Sequence, residues 1–153
     1  MSDSLPWPVR SVLAGASGTA VLTLSYIAEH RVRHTKGSLD YDDSDVPGQI
    51  VASILHISRP SEDEERELGY LLRAVYGSGF GLIHGVLRRR VGEPVATLAF
   101  GGALITMTLT MFPLLGHTPP PWRWPRGYLA TCLITHGAYA ATVGAVDDRL
   151  VAA

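Results

Sequence analysis

Residues 94–115 read PVATLAFGGALITMTLTMFPLL, a stretch with no Asp, Glu, Lys or Arg. An α-helix needs about 20 apolar residues, at about 1.5 Å each, to cross the hydrocarbon core of a bilayer. This stretch meets that requirement unaided. Residues 127–146, GYLATCLITHGAYAATVGAV, meet it again, with His136 as a polar residue in their interior.

Two further segments lie upstream. Residues 9–28 are free of charge from Ser11 to Ala28 and rich in small side chains (Ala14, Gly15, Ala16, Ser17, Gly18, Ala20). Residues 68–87 are the least apolar, with Arg73 in their first turns and His84 near their end. The four segments predict an all-α fold: an integral membrane four-helix bundle, one membrane domain over residues 1–153, with a long charged loop between helices 1 and 2. Composition alone, 46% hydrophobic and 18% charged, would not decide the class; what decides it is that the charges crowd between the apolar stretches.

A formal net charge of -1 gives no basic footprint for nucleic acid. Cys132 is the one cysteine, so no intrachain disulfide can form, and its apolar setting suits a small packing residue. The start of the chain, with Asp3, Pro6 and Pro8 and no basic cluster, does not resemble a secretory signal, and the first segment is expected in the mature protein.

The connections differ in character. The first opens on Arg31, Arg33 and Lys36, turns acidic at Asp40–Asp45, and carries an apolar patch within 47–58 that suits a short surface helix. The acidic run lacks the glycine and distal glutamate of a calcium loop. Ser61 and Glu64 form a capping box, which predicts that the second helix begins near Ser61, outside the bilayer. The second connection is short and holds Arg88, Arg89 and Arg90, which favours the cytoplasmic side and places both termini there. The third, with Pro119, Pro120, Pro121, Pro125, Trp122 and Trp124, predicts a stiff cap at headgroup level.

In lipid, helices associate by close packing of small residues. Gly77, Gly81 and Gly85 recur every four residues in the second segment, and Gly137 and Ala141 do so in the fourth; both rows are expected at helix contacts, within one bundle or between copies. Ionisable groups inside hydrocarbon are costly, so each is a functional candidate. Glu29 and Arg73 fall on the same side of the membrane, where they can pair or reach separately to the interface. His136, nine residues into its helix, lies near the midplane, where a histidine can bind a metal or haem, relay protons, or bond a neighbouring Thr or carbonyl. The candidate polar cluster is therefore Glu29, Arg73 and His136. No metal-ligand spacing, nucleophile–base pair or cofactor motif emerges, so no metal, cofactor or enzymatic activity is expected.

The run Phe112-Pro113-Leu114-Leu115-Gly116-His117-Thr118-Pro119-Pro120 resembles one in the YagU family of bacterial inner-membrane proteins. His136, Asp148-Arg149-Leu150 and Ala28-Glu29 resemble further positions of that family's closing and first helices, whereas His30, Arg31 and Arg33 replace its prolines. The resemblance implies a multi-pass location in the bacterial inner membrane and a loop motif at Pro113, Gly116, His117, Thr118, Pro119 and Pro120, without implying a reaction. The leading expectation is a small inner-membrane protein without catalytic activity that supports membrane physiology or assembly, with the lipid bilayer and a membrane-protein partner or second copy as its contacts. Two alternatives stand beside it: proton or ion handling through Glu29, Arg73 and His136, and an accessory subunit of a larger respiratory-type membrane complex.

Overall fold

The computed structural model describes residues 5–33, 62–115 and 118–152; within them, the side chains of residues 29, 30, 32, 33 and 62–70 are left aside. The apolar patch at 47–58, the acidic run Asp40–Asp45, the Ser61 cap, Gly116 and His117 therefore lie outside the described residues, as does the Glu29 side chain.

The described residues form four long helices, α1 (Trp7–Arg33), α2 (Glu62–Val91), α3 (Val95–Leu115) and α4 (Arg126–Ala152), with a 3₁₀ turn at Pro121–Arg123, and no strand occurs among them. Each boundary has a local cause. Pro8 sits in the first turn of α1, where a missing N–H is harmless. At the end of α2, Gly92 adopts a left-handed conformation (φ 71°) and donates its N–H to the Arg88 carbonyl at 2.9 Å. Glu93 and Pro94 follow, and the Glu93 carboxylate accepts the Thr97 N–H at 3.3 Å, an acid placed at the positive end of α3. Pro125 precedes α4, which begins at Arg126.

The helices run up, down, up, down, with α1 packed on α2 and α4, and α3 packed on α4 and α2. Three of them are long and apolar enough to cross a membrane: Trp7–Ala28, Val95–Leu115 and Arg126–Ala152. Their hydroxyls do not oppose this, because Thr19, Thr23, Ser25, Thr106, Thr135 and Thr142 each donate to the carbonyl four residues back.

Small residues set the closest contact. Gly15 lies against the Gly77 and Ser78 carbonyls, Gly77 against the Thr19 side chain, Gly81 against Ser11 and Gly15, and Gly85 against Ser11. A Cβ on Gly81 would fall on the Ser11 carbonyl, so α1 and α2 touch backbone to backbone. The pairs Ser11–Gly85, Gly15–Gly81 and Thr19–Gly77 step four residues up one helix and four down the other, the register of an antiparallel pair.

For α4 only the expectation of a contact within the bundle is corrected; an outward row is where a second copy would pack. Gly137 has no atom within 4 Å of a built Cβ, and both it and Ala141 face outward. The packing row is displaced around the helix: Ala140 meets Gly101, Gly144 meets Thr97 on α3, and Tyr139 and Val143 meet Gly18 on α1. A four-residue row of small side chains occurs on more than one face of α4, and only the rows with a helix opposite are used.

The core has two centres. Ala14, Leu22, Phe100, Leu104, Tyr139 and Val143 fill the middle of the bundle, and Phe112, Trp124, Tyr128 and Cys132 fill the end nearest the third connection. There Trp124 donates its indole N–H to the Pro119 carbonyl at 2.6 Å and meets the Tyr128 ring edge-to-face, while Trp122 projects outward. The two tryptophans thus divide the work: one locks the proline loop and one is free for the interface.

Candidate functional site

Up-down-up-down connectivity brings the start of α1, the end of α2, the start of α3 and the end of α4 to one end of the bundle. Arg10, Arg88 and Asp147 come from α1, α2 and α4, and Glu93 comes from the connection just before α3. Asp147 of α4, fully buried, accepts the Arg10 Nε–H at 2.6 Å and the Arg88 Nη1–H at 3.1 Å. Arg88 also pairs with the outward Asp148 at 2.5 Å. His84, likewise fully buried, stands between two carboxylates, its Nε2 2.8 Å from Glu93 Oε1 and its Nδ1 3.8 Å from Asp147 Oδ2. Thr97 Oγ1 lies 3.1 Å from the same Nε2, and Phe100 packs edge-on against the ring. Arg89 stacks over Trp7 at 5.1 Å beside the group.

The cluster is a knot of four helix ends around one buried acid. Breaking a buried pair by removing one member costs far more than the pair contributes, because the remaining charge is left desolvated. The knot therefore fixes the mutual position of the helices. The sequence reading names His84 and Arg88 but places none of Arg10, His84, Arg88, Glu93 and Asp147 in a cluster, although a signal is present: up-down connectivity brings alternating helix ends together, where opposite charges can meet.

The second polar region is a cavity of about 230 Å³ toward the other end. All four helices line it, and its walls are mostly Leu22, Phe80, Leu104, Met107, Met111 and Phe112. Met107 and Met111, both partly exposed, stand at its rim. Arg73, only 4% exposed, borders it with its guanidinium 5.3 Å from the centre of the Tyr26 ring. His136 and Tyr139 border it from α4.

Of the three residues expected to cluster, Arg73 and His136 thus share one cavity. His136 is held at both nitrogens. Its Nδ1 lies 2.8 Å from the Cys132 carbonyl, an acceptor, so Nδ1 carries the proton; Nε2, 3.0 Å from Thr108 Oγ1, then accepts from the hydroxyl. Cys132 Sγ lies 3.8 Å from His136 Nδ1, a cysteine–histidine juxtaposition not read from the sequence. It does not form a nucleophile–base pair in this tautomer, since that nitrogen already donates to a carbonyl. Tyr139 donates its hydroxyl to the Gly77 carbonyl, tying α4 to α2 across the cavity floor.

Among the described residues no group of three metal-ligating side chains is suited to an ion. The geometry defines an all-helical bundle with three membrane-compatible helices, a charged knot at one end and a half-open apolar cavity at the other. Comparison with family models, curated proteins and solved structures returned no match to this chain.

Proposed function

We propose that this chain is a four-span protein of the bacterial inner membrane that works by binding a membrane-borne molecule, without catalysis, and supports membrane physiology in that way. The observation that carries it is the cavity lined by all four helices, apolar in its walls, with one buried cation and with its histidine fully engaged. Groups committed to structural hydrogen bonds favour holding a ligand over transforming one.

The fourth span in this reading is α2. Its hydropathy is lowered by Arg73 and His84, yet both are buried at 4% and 0%, while Leu71, Val75, Ile83 and Val86 face outward. A helix with polar residues inside and apolar ones outside suits lipid. Arg88, Arg89 and Arg90 at its end favour the cytoplasm for the knot and both termini. The run from Phe112 to Pro120 supports a YagU-like affiliation.

Extraction of the purified chain with organic solvent, followed by mass spectrometry, tests the binding role. A stoichiometric lipid-soluble molecule is expected, and Met107→Trp, which fills the cavity, is expected to lose it. A folded protein that carries no such molecule would refute the proposal. Proton or ion handling by Glu29, Arg73 and His136 draws on the cavity shared by the last two. It requires His136 to release two hydrogen bonds, and proteoliposome flux unchanged by Glu29→Gln and His136→Ala would exclude it.

A further inference from the structure

The cavity has a shape as well as a chemistry. Its α2 wall runs from Arg73 to Phe80, a rise of about 10 Å at about 1.5 Å per residue. Its lining is largely apolar, and Arg73 is the one side chain in it with a permanent charge.

Depth places Arg73 near a headgroup. Arg73 lies fifteen residues from Arg88, about 22 Å along α2, against a hydrocarbon core of about 30 Å. Helical side chains lean toward the N-terminus of their helix, so that of Arg73 leans away from the knot and toward the opposite membrane face. A guanidinium carries five N–H donors, enough to hold a protein group and a ligand oxygen together, and its planar fork matches phosphate.

We infer that the cavity is a phospholipid site: one acyl chain enters sideways between α2 and α3, past Met107 and Met111, and the phosphodiester meets Arg73. This rests on the binding role proposed above and names its ligand. A lipid without a phosphate forgoes Arg73. The thioethers at the rim suit the passage, since methionine is unbranched and adapts its shape.

Native mass spectrometry of the full chain, with phosphatidylglycerol and diacylglycerol of identical acyl chains in competition, tests the inference. A charge-assisted contact to the phosphate predicts about tenfold preferential retention of phosphatidylglycerol. Arg73→Gln is expected to abolish the preference while leaving chain binding, and Arg73→Lys to keep part of it. Met107→Trp or Met111→Trp, each checked for helicity by circular dichroism, is expected to remove both lipids. Equal retention of the two lipids by the unaltered chain, or displacement of both by an added isoprenoid quinone, overturns the phospholipid assignment and leaves the binding role standing. Retention of nothing by a folded chain overturns both.

Discussion

Arg10 and Asp147 are 137 positions apart in the chain and 2.6 Å apart in the fold, and the contact closes the bundle by joining its first helix to its last. Arg88 reaches the same carboxylate from α2. Asp147→Asn would leave two arginines facing a neutral amide, and the expected loss is about 3–5 kcal/mol. Asp148, half-exposed, touches Arg88 alone in the knot, and Asp148→Asn is expected to cost at most about 1 kcal/mol. Unfolding in mixed detergent–dodecyl sulfate micelles, followed by circular dichroism, compares the two. Equal losses would show that the knot does not hold the bundle.

The seam between α1 and α2 gives a sharper contrast between two substitutions of the same kind. A Cβ on Gly81 collides with the Ser11 carbonyl, which cannot move without moving α1, whereas one on Gly137 meets nothing. Gly81→Ala is expected to destabilise the bundle by about 1–3 kcal/mol, as overpacking does. Gly137→Ala is expected to be neutral or slightly stabilising, by at most about 1 kcal/mol, from the gain in helix propensity. The same unfolding assay reads both variants, and a neutral Gly81→Ala would mean that the helices stand further apart than described.

How much of this was legible in the sequence follows from what each signal measures. The charge-free stretches at 94–115 and 127–146 measure length and apolarity, and α3 and α4 lie where they do. The four-residue spacing of Gly77, Gly81 and Gly85 marks one face of a helix, and that face meets α1. The same spacing in Gly137 and Ala141 marks a face with no neighbour inside the bundle, because periodicity does not say which face has one. The knot was overlooked for a related reason. Arg10, Arg88 and Asp147 sit near helix ends, where charges are ordinarily left to the interface, and only the packing shows Asp147 to be fully buried. Glu29, singled out at the other end, has its side chain outside the described residues.

Thr108 and His136 join α3 to α4 near the cavity through the hydroxyl and Nε2, 3.0 Å apart. Interhelical hydrogen bonds inside membranes are worth little, about 0.6 kcal/mol on average and about 1.7 at most. Thr108→Val removes the hydroxyl with little change in volume and is expected to cost within that range, and His136→Ala more, since it also opens space beside Phe112 and Tyr139. If Thr108→Val instead abolished ligand retention without changing stability, the hydroxyl would belong to the ligand and not to His136. Paired unfolding and retention measurements separate the two.

The knot also makes a topological demand. Arg10 and Arg88 share Asp147, so the start of α1 and the end of α2 lie together, and if α1 spans the membrane as proposed, α2 crosses it as well. If α2 lay along the surface, those two ends would face opposite compartments. Single cysteines in place of Leu5, Arg89 and Trp122, all outward-facing, report this in a Cys132→Ala background, because the native thiol is buried. With a membrane-impermeant maleimide on intact spheroplasts, Trp122→Cys is expected to react, while Leu5→Cys and Arg89→Cys react only after permeabilisation. Labelling of Leu5→Cys and Arg89→Cys from opposite sides would rule out a four-span bundle. Labelling of both from outside, with Trp122→Cys protected, would keep the bundle and invert it, since three arginines at the end of α2 bias the orientation without fixing it.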